Sequence, residues 1–257
     1  MNISKQLINI SNYNRPGTKR GSTTAVACHY IGNPGTSAQR NRDYFENLRT
    51  VGPQMEAKGE KATKASCHYL IGLEGEIIQL IPEDEVSWCT NSANSYTISI
   101  EACHPDATGK FTEATYKSYV ELCADICKRW GLDPLHGGLI RHYDVTGKVC
   151  PKWFVQEPLE WNQFKKAVAD KMKPSYDLGW NHDNNGWWYA DSESTYYKSC
   201  WQIINGHKYR FNPDGYALTG WQEIEGKWYY FEPRAGHPLE CAMYVTDANG
   251  VQAPGEF

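Results

Sequence analysis

The sequence lacks the features that mark several common classes of protein. Acidic residues outnumber basic ones by 30 to 26, and the net charge of −4 leaves no basic surface for a nucleic acid. No run of about 18 apolar residues is present, so no segment is expected to span a membrane. The first 21 residues contain four basic side chains but no apolar core of signal-peptide length. A protein that acts outside the cell would therefore leave by another route.

The cysteines do not form the pattern of a disulfide framework. There are nine, an odd number, and their spacing differs from that of small disulfide-rich scaffolds. Cys123 and Cys127 lie on the apolar stripe of a predicted helix. They could hold a metal together, but burial in the core is the interpretation we favour, because a free cysteine behaves as a small hydrophobe. Reduced thiols, with a metal bound elsewhere, are expected.

Strands and helices are mixed over the first two thirds of the chain. β-branched and apolar residues predict four strands: 23–31, 65–73, 76–81 and 97–103. Apolar residues at helical spacing predict three helices: near 38–50, over 113–130 and over 158–171. Glu74-Gly75 predicts a tight hairpin, Gly131 a helix C-cap, and the polar segment 50–64 a loop. Residues 1–173 are therefore expected to form one α/β or α+β domain.

Beyond a short linker at Lys173-Pro174-Ser175, the sequence becomes an aromatic repeat. Three turn glycines recur every 20 residues, each followed by a Tyr three positions later: Gly186, Gly206 and Gly226. A Trp precedes each of them at a similar spacing. Because a lone hairpin is only marginally stable, units of this period are expected to stack as β-hairpins. The pattern predicts a small all-β domain over residues 174–257, with a degenerate closing unit from Gly236 onward.

The end of a short strand and the loop that follows it carry a pair of residues that zinc accepts as ligands. His142 and Cys150 lie eight positions apart, after a short strand that ends near Ile140. A catalytic zinc takes three protein ligands and leaves the fourth position to water, so a third ligand must come from elsewhere. Four histidines could supply it: His29, His68, His104 and His136. The residues alone do not identify the third ligand, because His29 and His68 occur in matching Cys-His-Tyr triplets.

The order of these residues resembles that of the zinc-dependent N-acetylmuramoyl-L-alanine amidases of the type 2 family, which includes the peptidoglycan recognition proteins. The resemblance covers roughly residues 22–168, and four segments carry it: VACHY, ASCHYLIGLEGEIIQLIP, TISIEACHPDATGKF and LIRHYDVTGKVCPKWF. It is closest to amidases of clostridia and their phages. It implies an α/β fold in which helices flank a mixed central sheet.

The resemblance also implies the roles of site residues. The zinc ligands would be His29, His142 and Cys150. His68 falls at a position where the family usually has a residue that supports the fold rather than one that binds the metal. Zinc would lower the pKa of its bound water to about 7. Glu101 would take that water's proton and return it to the leaving amine. Lys148, or the zinc itself, would stabilise the oxyanion.

Two of these residues also have a simpler interpretation, and two other positions differ from the pattern of the family. On the residues alone, Glu101 is a solvent-facing strand-end glutamate and Lys148 a solvated loop lysine. Cys67 stands where many relatives have a Tyr that is often given a catalytic role. Cys89 stands where many have a His thought to line the substrate groove. These departures concern the surroundings of the metal rather than its ligands.

The C-terminal repeats resemble cell-wall-binding repeats of the choline-binding type. The pattern is intact in Gly220-Trp221 and in the following Gly-Lys-Trp-Tyr-Tyr. Such repeats imply aromatic cages that attract quaternary ammonium groups, with four expected walls: Trp201, Tyr209, Trp221 and Trp228. Lys208 replaces the Trp of neighbouring units and weakens one cage. A sugar or another wall polymer is the alternative ligand, and simple packing of the hairpin stack is the alternative role.

Together these features predict an endolysin or autolysin that acts on the cell wall. It would cleave the amide bond between N-acetylmuramic acid and L-alanine in peptidoglycan, with Zn²⁺ as cofactor and no nucleic acid or membrane partner. If a phage encodes it, it would be made in the host cytoplasm. A peptidoglycan-binding protein without activity is one alternative, and a zinc peptidase that cuts within the stem peptide is another. Cys150 favours an enzyme, because binding-only members of the family tend to lack this cysteine.

Overall fold

The computed structural model describes residues 1–173, 176–247 and 250–254. The chain divides into two compact units, Met1–Met172 and Lys173–Phe257, which we call the sheet unit and the hairpin unit. Pro174 and Ser175 of the expected linker lie outside the described residues, as do positions 248–249 and 255–257 of the expected closing unit. Within the described ranges, no helix is both long and apolar enough to cross a membrane.

A six-stranded mixed sheet forms the centre of the sheet unit. Its strands are β1 (Ile3–Lys5), β2 (Ala25–Tyr30), β3 (Tyr69–Ile71), β4 (Ile77–Gln79), β5 (Thr97–Ala102) and β6 (Leu139–Arg141). The spatial order is β1-β4-β3-β5-β2-β6. Neighbouring strands run parallel except β3 and β4, which form an antiparallel pair around the predicted Glu74-Gly75 turn. The expected α/β class with a mixed central sheet is confirmed.

Helices cover both faces of this sheet. They are α1 (Ala38–Ala57), α2 (Glu113–Trp130), α3 (His142–Thr146), α4 (Lys152–Gln156) and α5 (Pro158–Met172). On one face α2 and α5 pack against β2 and β5 around Tyr119 and Phe164, and on the other α1 contributes Phe45 and Leu48. Strands buried on both sides need apolar residues at successive positions, which explains the runs in β2 and β5.

Helix α2 begins and ends where its sequence predicts. The Thr112 hydroxyl accepts a hydrogen bond from the Thr115 N–H at the N-terminus. Gly131 ends the helix in the left-handed conformation, at φ +63°, which a residue without a Cβ adopts at little cost. Cys123 and Cys127 are fully buried on its inner face, as expected for core cysteines.

Helix α1 is longer than predicted, so the expected loop after residue 50 is wrong in its first part. The helix continues through Gly52-Pro53 to Ala57. Tyr13, from a distant segment, covers Gly52 so closely that a Cβ there would lie 2.3 Å from the ring Cδ1. The Tyr13 hydroxyl then donates to Glu56 at 2.6 Å. Packing against this ring therefore stabilises a turn that local propensity disfavours.

Tyr119 ties α2 to the strand that carries His29. Its hydroxyl accepts from the buried backbone N–H of His29 at 2.9 Å. The same hydroxyl lies 3.2 Å from the carbonyl oxygens of His29 and Ile100, which share its single proton as acceptors. A side chain 90 positions away thus satisfies the amide of the residue at the centre of the candidate site.

Tyr119→Phe is expected to lower the free energy of unfolding of the sheet unit by about 1–3 kcal/mol, because the His29 N–H is left buried without a partner. Urea unfolding of the full chain, followed by far-UV circular dichroism, measures the loss. Tyr116→Phe, on the same helix but only half-buried, is the matched control and should change stability less. Equal effects of the two substitutions would show that the Tyr119 hydroxyl contributes nothing specific.

The described residues of the hairpin unit form four antiparallel strand pairs. They are formed by β7 (Gly179–Asp183) with β8 (Gly186–Ala190), β9 (Trp201–Ile204) with β10 (His207–Arg210), β11 (Gly220–Ile224) with β12 (Lys227–Phe231), and β13 (Tyr244–Asp247) with β14 (Gly250–Pro254). Asn205-Gly206 and Glu225-Gly226 have positive φ at both positions, as two-residue hairpin turns require. Phe211, Ile204 and Tyr209 form the small core. The predicted all-β hairpin architecture is confirmed.

Candidate functional site

Strand register brings the candidate ligands of the sheet unit together. β2 pairs in parallel with β5, so that His29 lies opposite Glu101. On its other side β2 pairs with β6, where Cys28 lies opposite Arg141. His142 follows Arg141 directly, and its ring centroid lies 4.7 Å from that of His29. The carboxyl ends of three parallel strands therefore place two imidazoles and a carboxylate at one edge of the sheet.

Cys150 returns to this edge through the loop that follows α3. Its carbonyl oxygen accepts from the Tyr143 N–H at 3.0 Å, which closes the loop. Its sulfur lies 3.6 Å from His29 Nδ1. One ligand atom each from His29, His142 and Cys150 lies within 4.8 Å of the others, and all three residues are buried.

These distances match the dimensions of a zinc site. Zn–S and Zn–N bonds of about 2.3 and 2.0–2.1 Å at a tetrahedral angle separate sulfur and nitrogen by roughly 3.6 Å. The His29 Nδ1–Cys150 Sγ distance is 3.6 Å. The other nitrogen of His29, Nε2, lies 2.9 Å from Thr90 Oγ1, a buried hydroxyl. If Nε2 donates to that hydroxyl, Nδ1 carries the lone pair that faces the sulfur.

The protonation states of the three residues also suit a cation. Burial lowers the pKa of His29 well below its usual value and also lowers the pKa of His142, so both rings are neutral and can bind metal. Burial raises the pKa of the Cys150 thiol to about 12. A thiolate at neutral pH therefore requires a positive ion beside it, and binding would release the thiol proton.

Glu101 is a carboxyl group without full hydrogen bonding. Its Oε2 is buried and has no hydrogen-bond partner among the described residues. Its Oε1 lies 4.0 Å from His29 Nδ1 and 3.7 Å from Cys89 Sγ. Burial raises the pKa of Glu101 to about 8, although Lys148 and the Cys89 thiol act in the opposite direction. A carboxyl group with such a pKa exchanges protons readily near neutral pH.

A cavity of about 370 Å³ lies in front of these groups. The residues that line it include Glu101, His142, Cys89, Lys148 and Asn91. The side chains of the last two are exposed, so the cavity is open to solvent. The two predicted catalytic residues therefore share one accessible space with a predicted ligand.

The other candidate histidines lie elsewhere. The His68 ring is fully buried, with Nδ1 2.9 Å from the Ser99 N–H and Nε2 2.9 Å from the Glu85 carbonyl oxygen. Both nitrogens of His104 also contact backbone carbonyl oxygens. His136 is exposed and contacts Asp133. The structure thus places His29, rather than its counterpart His68, beside His142 and Cys150.

Sequence reasoning singled out Cys89 in the loop between β4 and β5 but missed the neighbouring residues that contact the site. The Thr90 hydroxyl contacts the His29 ring. Asn91 Oδ1 lies 3.2 Å from Nε2 of the His142 ring. Asn94 Oδ1 accepts from the N–H groups of Cys89 and Thr90 at 3.1 and 2.6 Å. An Asn that caps its own backbone is the one local signal that could have marked this loop.

The four aromatic residues predicted as cage walls differ in burial within the hairpin unit. Tyr209 is 5% exposed and packs on Trp180, with 4.8 Å between ring centroids. Trp201 packs on Tyr229, 5.0 Å away. Trp221 and Trp228 are 53% and 61% exposed.

A different set of aromatic residues encloses a cavity of about 240 Å³. Its walls are Tyr176, Trp188, Tyr196 and Tyr216, with Asp183, Ser194 and Asp214 completing the lining. The ring centroid of Trp188 lies 4.9 Å from that of Tyr176 and 5.8 Å from that of Tyr196. The Tyr216 hydroxyl donates to Asp183 at 3.1 Å. Aromatic faces and carboxylates around one space favour a cationic ligand.

Comparison with known proteins finds matches for part of each unit. The profile described as N-acetylmuramoyl-L-alanine amidase matches residues 19–153, slightly more than half of the chain. The profile described as choline-binding repeat matches residues 197–238. N-acetylmuramoyl-L-alanine amidase CwlL of Bacillus licheniformis is 32% identical over 178 residues, which cover 65% of this chain and 46% of that protein.

A second relative and two solved structures also match the chain. N-acetylmuramoyl-L-alanine amidase BlyA of Bacillus subtilis (strain 168) is 29% identical over 190 residues, covering 66% of this chain and 47% of that one. The chain thus spans about half the length of the curated relatives it matches. The catalytic domain of XlyA has a TM-score of 0.52 at 24% identity, covering 65% of this chain and 99% of that one. The PlyG catalytic domain has a TM-score of 0.54 at 18% sequence identity, and the match covers 69% of this chain and 99% of that one. These structures share the fold of the sheet unit.

Proposed function

Because the chain belongs to the N-acetylmuramoyl-L-alanine amidase family, we propose that it hydrolyses the amide bond between N-acetylmuramic acid and the L-alanine of the stem peptide. Such an activity would make it an endolysin or autolysin that acts on the cell wall. The observation that carries the proposal is the convergence of His29, His142 and Cys150 close to Glu101, where His142 and Glu101 line a cavity open to solvent.

The proposed cofactor is Zn²⁺, held by His29, His142 and Cys150. Two imidazole nitrogens and one thiolate suit a borderline-soft ion, whereas Mg²⁺ and Ca²⁺ prefer oxygen ligands. When bound, the ion would supply Lewis acidity, which makes water available as a nucleophile near neutral pH. Thr90 and Asn91, which contact the two rings, would fix the orientation of the imidazoles.

Glu101 is the proposed general acid and base. Its carboxylate would accept the proton of the attacking water and would then deliver that proton to the departing L-alanine nitrogen. Burial favours the protonated form, which suits the second step, whereas a neighbouring cation favours the ionised form that the first step needs. Lys148 lines the same cavity, where its ammonium group would stabilise the negative charge on the former carbonyl oxygen.

Mass spectrometry of purified wall digested by the protein tests this function. The expected products are intact stem peptides with a free L-alanine amino group, together with uncut glycan strands. Fragments cut within the stem peptide would instead indicate a zinc peptidase. Binding to the wall without any product would indicate a binding protein. A sample treated with a chelator is the control, and it should yield no products.

The hairpin unit is proposed to attach the protein to the wall, while the sheet unit cuts. Its resemblance to choline-binding repeats and the cavity between Trp188, Tyr196 and Tyr216 support a quaternary ammonium group, such as choline on a wall polymer, as the ligand. Each well-placed ring contributes about 0.5–2 kcal/mol of cation–π attraction. A sugar or another wall group is the alternative ligand.

Trp188→Ala is expected to weaken sedimentation with walls severalfold or more, because it removes a wall of the cavity, and millimolar choline should release the unaltered protein. Hydrolysis of small soluble wall fragments should not change. Trp221→Ala, at an exposed tryptophan outside this cavity, is the comparison and should have the smaller effect.

A chain ending at residue 173 that sediments as well as the full chain would show that the repeats are not the anchor. Attachment that choline does not release would leave the anchor in place but reject choline as its ligand.

A further inference from the structure

A second thiol faces the proposed metal centre. Cys89 lines the same cavity as Glu101 and His142, and its sulfur lies 3.7 Å from Glu101 Oε1. Ligand atoms of Cys89, His29 and Glu101 all lie within 4.8 Å of one another. His29 therefore belongs to two overlapping sets of potential metal ligands, one with Cys150 and the other with Cys89.

The position of Cys89 is fixed by its loop. The Asn94 side chain accepts hydrogen bonds from the N–H groups of Cys89 and Thr90. The preceding residue, Trp88, donates its N–H to Ser66 Oγ at 2.9 Å and accepts from the Ser66 N–H at 3.0 Å. Thr90 in turn contacts His29 Nε2. The loop that orients His29 is therefore also the loop that presents Cys89 to the same space.

A second sulfur bond to the proposed ion requires the Cys89 side chain to move. Sulfur and nitrogen ligands of one tetrahedral zinc lie roughly 3.6 Å apart, and the Cys89 ligand atom lies within 4.8 Å of that of His29. The Cys89 sulfur would therefore have to approach the ligand atoms of His29, His142 and Cys150 before it could share an ion with them. The Cys89 side chain is half-buried and faces an open cavity, so it has room for this shift.

We propose that Cys89 is a conditional second thiolate ligand, which closes the metal centre with a Cys₂His₂ donor set when no substrate occupies the cavity. The proposal rests on the proposed ligands His29, His142 and Cys150. In forming the bond, the Cys89 thiol transfers its proton to the Glu101 carboxylate that it faces, and the sulfur takes the position otherwise left to water. Two imidazoles and two thiolates are a donor set of closed zinc sites, whereas catalytic sites keep one position open.

Cobalt(II) loaded into the zinc-free full chain provides the test, because thiolate-to-cobalt charge transfer absorbs in the near ultraviolet. The native protein should show about twice the absorption of Cys89→Ser, since thiolates are the ligands that give this band. Cys200→Ser, which removes another half-buried thiol in the hairpin unit, should match the native protein. Equal absorption of native protein and Cys89→Ser would overturn the proposal.

The same series separates this proposal from the proposed function. Cys150→Ser should also lose at least about half of the absorption, and if it loses none, the ligand set behind the function is wrong. A second measurement needs no substitution at Cys89. Zinc should protect Cys89 of the native chain from alkylation by iodoacetamide, as mapped by peptide mass spectrometry. Equal alkylation of Cys89 with and without zinc would contradict its role as a ligand.

Discussion

Glu101→Gln is expected to lower the rate of wall hydrolysis by roughly two to four orders of magnitude, the usual contribution of a positioned general acid and base. Glutamine has nearly the same shape but cannot accept the water proton or return it to the leaving nitrogen. Because Glu101 is not a proposed ligand, zinc content and the circular dichroism spectrum should not change. The rate is measured by release of amino groups from purified wall.

Two further variants make the Glu101 result specific. Glu74→Gln, at the hairpin between β3 and β4, should retain the full rate. Lys148→Ala should lose less than Glu101→Gln, roughly one to three orders of magnitude, if the zinc shares the stabilisation of the oxyanion. Wall clearing by Glu101→Gln at nearly the native rate would remove Glu101 from the proposed chemistry.

Cys150→Ser is expected to abolish stoichiometric zinc binding and to lower activity by roughly three orders of magnitude or more, because the ion that activates water is lost. A serine hydroxyl is a poor substitute for a thiolate at a zinc site. Zinc per chain, measured by atomic emission after dialysis, should fall from about one in the native protein to well below one. Tightly held, stoichiometric zinc in Cys150→Ser combined with Cys89→Ser, in which the second thiol cannot compensate, would exclude Cys150 from the site.

The two Cys-His-Tyr triplets offer an internal control for the same experiment. His29→Ala should lose zinc, whereas folded His68→Ala should keep it, because both ring nitrogens of His68 contact the core of the sheet unit. His68→Ala is expected to be less stable, so zinc is compared per folded molecule. Zinc retained by His29→Ala but lost by His68→Ala would move the first ligand to the other triplet.

Elements of the fold that depend on local signals could be predicted, and those that depend on distant contacts could not. Helix α2 has its cap, its apolar stripe and its terminal glycine in adjacent sequence, and the predicted range is the observed one. Helix α1 continues past Gly52 because Tyr13 packs on it, and the local sequence contains no sign of that contact. The five-residue helix that begins at His142 is not predicted from the sequence, since so short a segment shows no periodicity.

The same distinction holds at the two candidate sites. His142 and Cys150 could be singled out from their own loop, but the choice between His29 and His68 required the family resemblance, because register with β5 and β6 is a property of the whole sheet. The cavity of the hairpin unit uses Tyr196 and Tyr216, which lie between hairpins rather than in the repeated strands. The repeat directed attention to strand aromatics, of which Tyr209 proves to be core.

Anomalous diffraction at the zinc edge, from crystals of the full chain loaded with zinc, tests the central claim most directly. The account predicts one strong peak in the sheet unit, within about 2.0–2.3 Å of His29 Nδ1, a nitrogen of His142 and the Cys150 sulfur. Glu101 should lie beside this peak without replacing any of the three ligands. A peak at other residues, or the absence of any peak near His29, would contradict the proposed metal centre and the mechanism built on it.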